Sequence, residues 1–169
     1  MHSKTILASI AAAALVVCVT SLHAQMRREA GQATAAVPVE IHLQVGSGKY
    51  NASGTGECRV AERGSIYDIP ASQLAVSHSA GAESLSLTVW QPKNGTEMVT
   101  MRVLSGGKRY EVDTVKGGAK RDTKGSAQAK VQRSGSGATV TVAAVASSGE
   151  KIAGTIKCGG LTPIQAEGG

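Results

Sequence analysis

The stretch Val37-Pro38-Val39-Glu40-Ile41-His42-Leu43-Gln44-Val45 decides the fold class, because apolar and polar residues alternate along most of it. Successive side chains of a β-strand point to opposite faces, so a period of two predicts a strand with one buried face. Gly46-Ser47-Gly48 follows and predicts a turn. The domain is therefore expected to open with a strand and a hairpin connection.

The same alternation continues toward the C-terminus, interrupted by Gly, Ser, Asn and Pro. Further strands are predicted in the runs 54–60, 73–78, 84–89, 99–103, 110–114, 127–133, 139–145 and 151–158. An irregular stretch is expected at 67–70 and a long loop at 116–126. This pattern predicts an all-β protein, an antiparallel β-sandwich or alternatively a small β-barrel, with about eight or nine short strands.

The N-terminal residues predict export. Lys4 precedes an apolar run over 6–19, and Ala24 provides the small residue that signal peptidases prefer. The run is shorter than the roughly 20 residues of a membrane span, so residues 1–24 are predicted to be a signal peptide and no transmembrane segment is expected in the mature chain. Lipid anchoring through Cys18 is the less favoured alternative, because Val17 is too bulky for that cleavage.

Three segments follow from this reading. They are the signal peptide 1–24, a disordered lead-in 25–36 without apolar periodicity, and a single β-domain 37–169. The protein is expected in the periplasm or outside the cell.

Two cysteines remain once the leader is removed, and in an exported chain an even number of cysteines predicts a disulfide. Cys58 and Cys158 allow only one pairing. Cys58 shares its strand face with Val60, and Cys158 shares its face with Ile156, so both sulfurs are expected to point inward. The bond would join the second predicted strand to the last.

Three segments carry a resemblance: Gly54-Thr55-Gly56-Glu57-Cys58, Leu87-Thr88-Val89-Trp90-Gln91-Pro92-Lys93 and Gly154-Thr155-Ile156-Lys157-Cys158. With them the chain resembles a group of uncharacterised exported bacterial β-domain proteins, over roughly residues 39–169. Its architecture is loosely similar to that of small mycobacterial lipoprotein antigens with a single disulfide. Neither resemblance implies an activity.

No catalytic, metal or cofactor constellation is apparent in the mature chain. His42 and His78 have no second His or Cys at ligand spacing, and the serines lie mainly in Ser-Gly turns. We therefore predict a protein that is not an enzyme and needs no cofactor. An enzyme of unrecognised type stays open as an alternative, and it would require Asp68, His42 or His78 to cluster in one cleft.

Charge suggests a binding surface. The chain carries a formal net charge of +6, and one stretch is predicted to form an anion-binding patch, with the candidate residues Lys108, Arg109, Lys116, Lys120, Arg121, Lys124, Lys130 and Arg133. Trp90, which shares its polar face with Ser86 and Thr88, is a candidate partner contact together with Lys93. The shortage of aromatic residues argues against sequence-specific nucleic-acid binding.

The function predicted from these observations is an exported, non-catalytic binding or accessory domain of the cell envelope or secreted fraction. Its ligand is unknown, and an anionic envelope component or another protein is the expected partner. A structural envelope protein without a small-molecule ligand is one alternative. Weak polyanion binding through the basic segment 116–133 is another.

Overall fold

The computed structural model describes residues 35–116 and 122–164, so the predicted signal peptide and most of the predicted lead-in lie outside the described residues. The described chain is all β-structure. Its strands are β1 (Val37–Val45), β2 (Gly48–Ile66), β3 (Ile69–Ala80), β4 (Glu83–Pro92), β5 (Met98–Ser105), β6 (Lys108–Asp113), β7 (Ser126–Ser134), β8 (Gly137–Val145), β9 (Lys151–Cys158) and β10 (Thr162–Pro163).

Nine strands form one antiparallel sheet in the order β6-β5-β4-β3-β2-β1-β9-β8-β7, and the short β10 runs parallel to β2. Each strand pairs mainly with its neighbours in sequence, as in a meander, and a further ladder pairs β1 with β9. The sheet is nearly closed into a barrel. The predicted all-β class and strand number are confirmed. Of the two predicted architectures, a β-sandwich or alternatively a small β-barrel, the structure corresponds to the barrel.

β2 is the strand at which the sheet turns a corner. Residues 48–56 pair with β1, whereas residues 57–66 pair with β3. The sheet therefore has a first half, with residues 48–56 of β2, β1, β9, β8 and β7, and a second half, with residues 57–66 of β2, β3, β4, β5 and β6. The sequence had suggested only a short strand at 54–60, and Ile69 and Pro70 also belong to β3 rather than to an irregular stretch.

The opposite corner lies between β6 and β7. A ring of antiparallel neighbours needs an even number of strands, so with nine strands one neighbouring pair must run in the same direction. From the directions of the ladders, that pair is β6 and β7, and the described residues form no ladder between the two. An antiparallel bridge between Asp113, at the end of β6, and Lys124, just before β7, lies at this corner.

The interior is filled by the inward-facing side chains of both halves. The largest side chains with almost no exposure are Tyr50, Ile41, Leu43, Leu85, Leu87, Met101, Ile152 and Ile156. In β1 the burial pattern alternates from Val39 to Val45, as the opening stretch predicts. Packing of aliphatic side chains therefore holds a core that contains few aromatic rings.

The predicted disulfide between Cys58 and Cys158 is present, with the two Cα atoms 6.1 Å apart. Both cysteines are buried. Cys158 pairs with Val39 of β1 and Ala138 of β8, and Cys58 lies just beyond the point where β2 leaves β1. The bond consequently ties the two halves of the sheet together at the β2 corner.

Candidate functional site

The basic residues predicted as one patch lie on different parts of the surface. Arg109 and Lys124 approach the carboxylate of Glu111, at 3.9 and 3.8 Å. Arg102, which the sequence analysis did not single out, lies 3.7 Å from the same carboxylate. Three cations thus share one partly buried anion on the outer face of β5 and β6, and Asp113 adds a second carboxylate beside them.

The remaining predicted cations are dispersed. Arg133 makes a 2.7 Å ion pair with Glu62 of β2. Lys130 points outward from β7, in the first half of the sheet. Lys108 begins β6 near Glu150, whose pKa is lowered mainly by a hydrogen bond with Ser148 and to a small extent by the charge of Lys108. Lys116 is exposed. Lys120 and Arg121 lie outside the described residues.

Trp90 extends the outer row of β4 that includes Ser86 and Thr88, and it is partly exposed. It lines a depression of about 300 Å³ together with Arg102, Glu111 and Lys124. Lys93, predicted as its companion, is exposed beyond the end of β4. The cations that share the depression with Trp90 are therefore Arg102 and Lys124.

A second basic surface lies on the first half of the sheet, and we call it the lysine face. It consists of the outward-facing residues of β1, β7, β8, β9 and residues 48–56 of β2. Its cationic side chains are Lys49, Lys130, Lys151 and Lys157, all of which are exposed. Among the outward-facing residues of these described strands, Glu40 is the single carboxylate.

Glu40 is at the centre of a hydrogen-bonded chain across three strands. Nζ of Lys157 donates to its Oε2 at 3.2 Å, and Nε2 of His42 lies 2.7 Å from its Oε1. Nδ1 of His42 lies 3.3 Å from Oδ1 of Asn51. The register explains these contacts, because Glu40 pairs with Lys157, and His42 pairs with Asn51, across adjacent ladders.

These contacts shift the pKa values of both titratable partners in the chain. The hydrogen bond from His42, followed by the contact with Lys157, lowers the pKa of Glu40 below its usual 4.5. The hydrogen bond to Glu40, followed by that to Asn51, raises the pKa of His42 above its usual 6.5. Both shifts favour a charged Glu40 beside a charged His42.

A depression of about 880 Å³ in the surface overlies this chain of hydrogen bonds. Its walls include side chains from β1, β2, β8 and β9 and the turn between β7 and β8. The polar residues around it are Glu40, His42, Asn51, Ser53, Ser134, Ser136, Thr139 and Lys157. The arrangement presents ammonium, amide and hydroxyl donors around a carboxylate that is already paired, which favours a ligand rich in acceptor oxygens.

Sequence reasoning missed the lysine face because its members are far apart in the chain. Lys49 and Lys157 are brought onto one surface only by the pairing of β1 with both β2 and β9. The alternation in β1 did place Glu40 and His42 on the polar side. The positions opposite them depend on register, which one sequence does not reveal.

His78 faces the interior, unlike His42. It is buried, and its Nδ1 lies 3.1 Å from the hydroxyl of Tyr50, which is also buried. Burial, with a smaller effect from the charge of Glu83, raises the pKa of Tyr50 above its usual 10.0. The described part of the chain brings together no group of three or more His, Cys, Asp or Glu side chains suited to a metal ion.

Comparison with known proteins gives no relative: no protein-family model, curated protein or solved structure matches the chain. None of the described residues belongs to a helix long and apolar enough to cross a membrane.

Proposed function

We propose that this protein is an exported, non-catalytic binding domain that holds an anionic component of the cell envelope on its lysine face. The observation that carries the proposal is the charge pattern of that face, whose described strands present four outward lysines and a single carboxylate. Export stays part of the proposal, and the internal disulfide supports it because such bonds persist in oxidising compartments.

The spacing of the lysines favours a ligand with many charges over a small anion. Lys151 and Lys157 lie at opposite ends of β9, six residues and thus about 20 Å apart. That separation exceeds the Debye length of about 8 Å at physiological ionic strength, so a single small anion would feel only one or two of these charges. A polyanion contacts several lysines at once and releases counterions at each.

The lysine face is a better candidate than the rest of the basic patch predicted between Lys108 and Arg133, of whose described residues only Lys130 lies on this face. In the cluster around Glu111, Arg102, Arg109 and Lys124 share that carboxylate, and Asp113 lies beside it. Arg133 is likewise neutralised, by an ion pair with Glu62. Within the described ranges 35–116 and 122–164, Lys157 and His42 are the residues of the lysine face that contact a carboxylate, and Lys49, Lys130 and Lys151 provide its surplus charge.

Retention on a heparin column at increasing salt tests the proposal. One variant replaces Lys49, Lys130, Lys151 and Lys157 with Gln. The matched control removes the same number of charges elsewhere, by replacing Lys93, Lys108, Lys116 and Lys124 with Gln. We expect the first variant to elute at lower salt, with a salt dependence reduced on the order of one unit per contacting lysine, and the control to elute close to the wild type.

Equal losses in the two variants would show that only net charge matters and would refute a binding face. A loss confined to the control would move the binding surface to the region of the basic segment. Circular dichroism of both variants checks that the strands are retained, since all eight lysines are exposed and their substitution is expected to leave the fold intact.

A further inference from the structure

We infer that the depression over Glu40 binds the carboxylate groups of an extended acidic polysaccharide, and that protonation of His42 strengthens this binding by releasing Lys157 to the ligand. The inference rests on the proposed function, because it identifies the ligand class and the regulation of the lysine face. It is argued from the contacts of His42, from the charges around it and from the shape of the surface.

The two ring nitrogens of His42 both face oxygen atoms. Nε2 lies 2.7 Å from a carboxylate oxygen of Glu40, and Nδ1 lies 3.3 Å from the amide oxygen of Asn51. A neutral imidazole has one N–H and can donate to only one of these oxygens, whereas the imidazolium donates to both. The surroundings of His42 are thus arranged for its charged form, in agreement with its raised pKa.

His42 and Lys157 compete for the same carboxylate. Lys157 donates to Oε2 of Glu40 and His42 contacts Oε1. When His42 is neutral, the charge of Glu40 is balanced by Lys157 alone, and the ammonium group is held at the protein. When His42 is charged, it balances Glu40, so Lys157 can turn to an anion in the depression without leaving a carboxylate unpaired.

No nearby group on the described strands cancels this change. The charged residues facing His42 from its neighbours are Glu40 on its own strand and Lys157 on β9. Farther out, β2 contributes Lys49, β9 contributes Lys151 and β7 contributes Lys130, all of them cations, and the outward residues of β8 are uncharged. Protonation of His42 therefore adds one positive charge to a face that already attracts anions.

The surface chemistry favours a polysaccharide over nucleic acid or lipid. The outward positions of these described strands carry no aromatic ring on which a base could stack. The depression is concave and is bordered by hydroxyl groups such as those of Ser53 and Thr139. Insertion into a membrane surface requires protruding apolar side chains, so this concave, hydroxyl-lined surface is not suited to it. Hydroxyl and ammonium donors suit the oxygen-rich edges of a sugar chain with carboxylate groups.

The test measures binding of a fluorescently labelled oligogalacturonate to the purified protein at about pH 5.5 and about pH 8, at constant ionic strength. The carboxylates of this probe remain ionised throughout this range. We expect the wild type to bind about two- to fivefold more tightly at the lower pH, as one additional exposed charge contact allows. A dextran oligomer of equal length controls for uncharged sugar contacts and is expected not to bind.

Variants separate the parts of the inference. His42→Gln is expected to bind at both pH values with the weaker affinity that the wild type shows at about pH 8, so that the pH dependence is lost. Lys157→Gln is expected to weaken binding most at the lower pH. Asn51→Asp places a negative charge beside Nδ1 and should move the midpoint of the pH dependence upward. A pH dependence that survives in His42→Gln would overturn the inference.

Two outcomes distinguish this inference from the proposed function. If the variant lacking all four lysines of the lysine face binds oligogalacturonate like the wild type, the proposed function itself fails. If that variant loses binding but His42→Gln behaves like the wild type at both pH values, only the role of His42 fails. Tighter binding to single-stranded DNA or to anionic phospholipid vesicles than to oligogalacturonate would refute the ligand class.

Discussion

Removing the disulfide is the perturbation whose effect on stability the structure defines best. The bond joins residues 100 positions apart, so it closes most of the domain into one loop. On the chain-entropy model, a loop of that length restricts the unfolded chain by an amount worth about 4 to 5 kcal/mol at 25 °C. A small domain has a total free energy of unfolding of about 5–15 kcal/mol, so the bond accounts for a large part of it.

The assay is urea unfolding followed by circular dichroism, with and without reductant. Reduction of the wild type removes the crosslink and keeps both side chains, while the double substitution Cys58→Ala and Cys158→Ala also removes the two buried sulfurs. We expect reduction to lower the free energy of unfolding by about 3 to 5 kcal/mol, and the double variant to lose slightly more because of the lost packing.

Reductant should have no effect on the double variant, which serves as the control. A loss below about 1 kcal/mol on reduction would contradict the reasoning. It would mean that the reduced, unfolded chain retains structure that already keeps Cys58 and Cys158 close together.

Two further predictions concern the barrel interior and the first half of the sheet. Tyr50→Phe removes the hydroxyl that pairs with the buried His78 and should cost about 1–3 kcal/mol in urea unfolding, so an unchanged midpoint would show that His78 finds another partner. Gly154→Ala should be far more damaging than Gly81→Ala in thermal unfolding. Both residues have positive φ angles, but a Cβ at Gly154 would lie 2.0 Å from the backbone oxygen of His42, whereas a Cβ at Gly81 meets nothing within 4 Å. Equal melting temperatures for the two glycine variants would contradict this.

The sequence was sufficient for those features that depend on one strand at a time. Alternation in β1 identified both its inner row and the polar row that holds Glu40 and His42. The disulfide was predictable for the same reason, because only two cysteines remain after the predicted cleavage and each shares its face with buried aliphatic residues. The same alternation would have placed His78 inside, since it lies in step with Leu74 and Val76, both buried.

Features that depend on how neighbouring strands pair could not be predicted from the sequence alone. β2 was predicted too short: the strand expected at 54–60 begins at Gly54, whereas the observed β2 runs from Gly48 to Ile66 and changes its partner after Gly56. The basic residues between 108 and 133 are close in sequence, but the break between β6 and β7 divides them between two halves of the sheet.

The filled interior determines where a ligand can bind. In the described strands the inward rows are filled mainly by aliphatic side chains, together with Tyr50, Tyr110, His78 and the disulfide, so a ligand would contact the outer faces. Side chains on a paired strand keep their relative positions, because both neighbouring ladders fix the backbone that bears them. Lys157 and Glu40 are held in this way on β9 and β1, whereas Lys116 follows β6 outside any strand. A polyanion that contacts the lysine face therefore meets charges already placed by the barrel, and less conformational entropy is lost on binding than if the charges were on a loop.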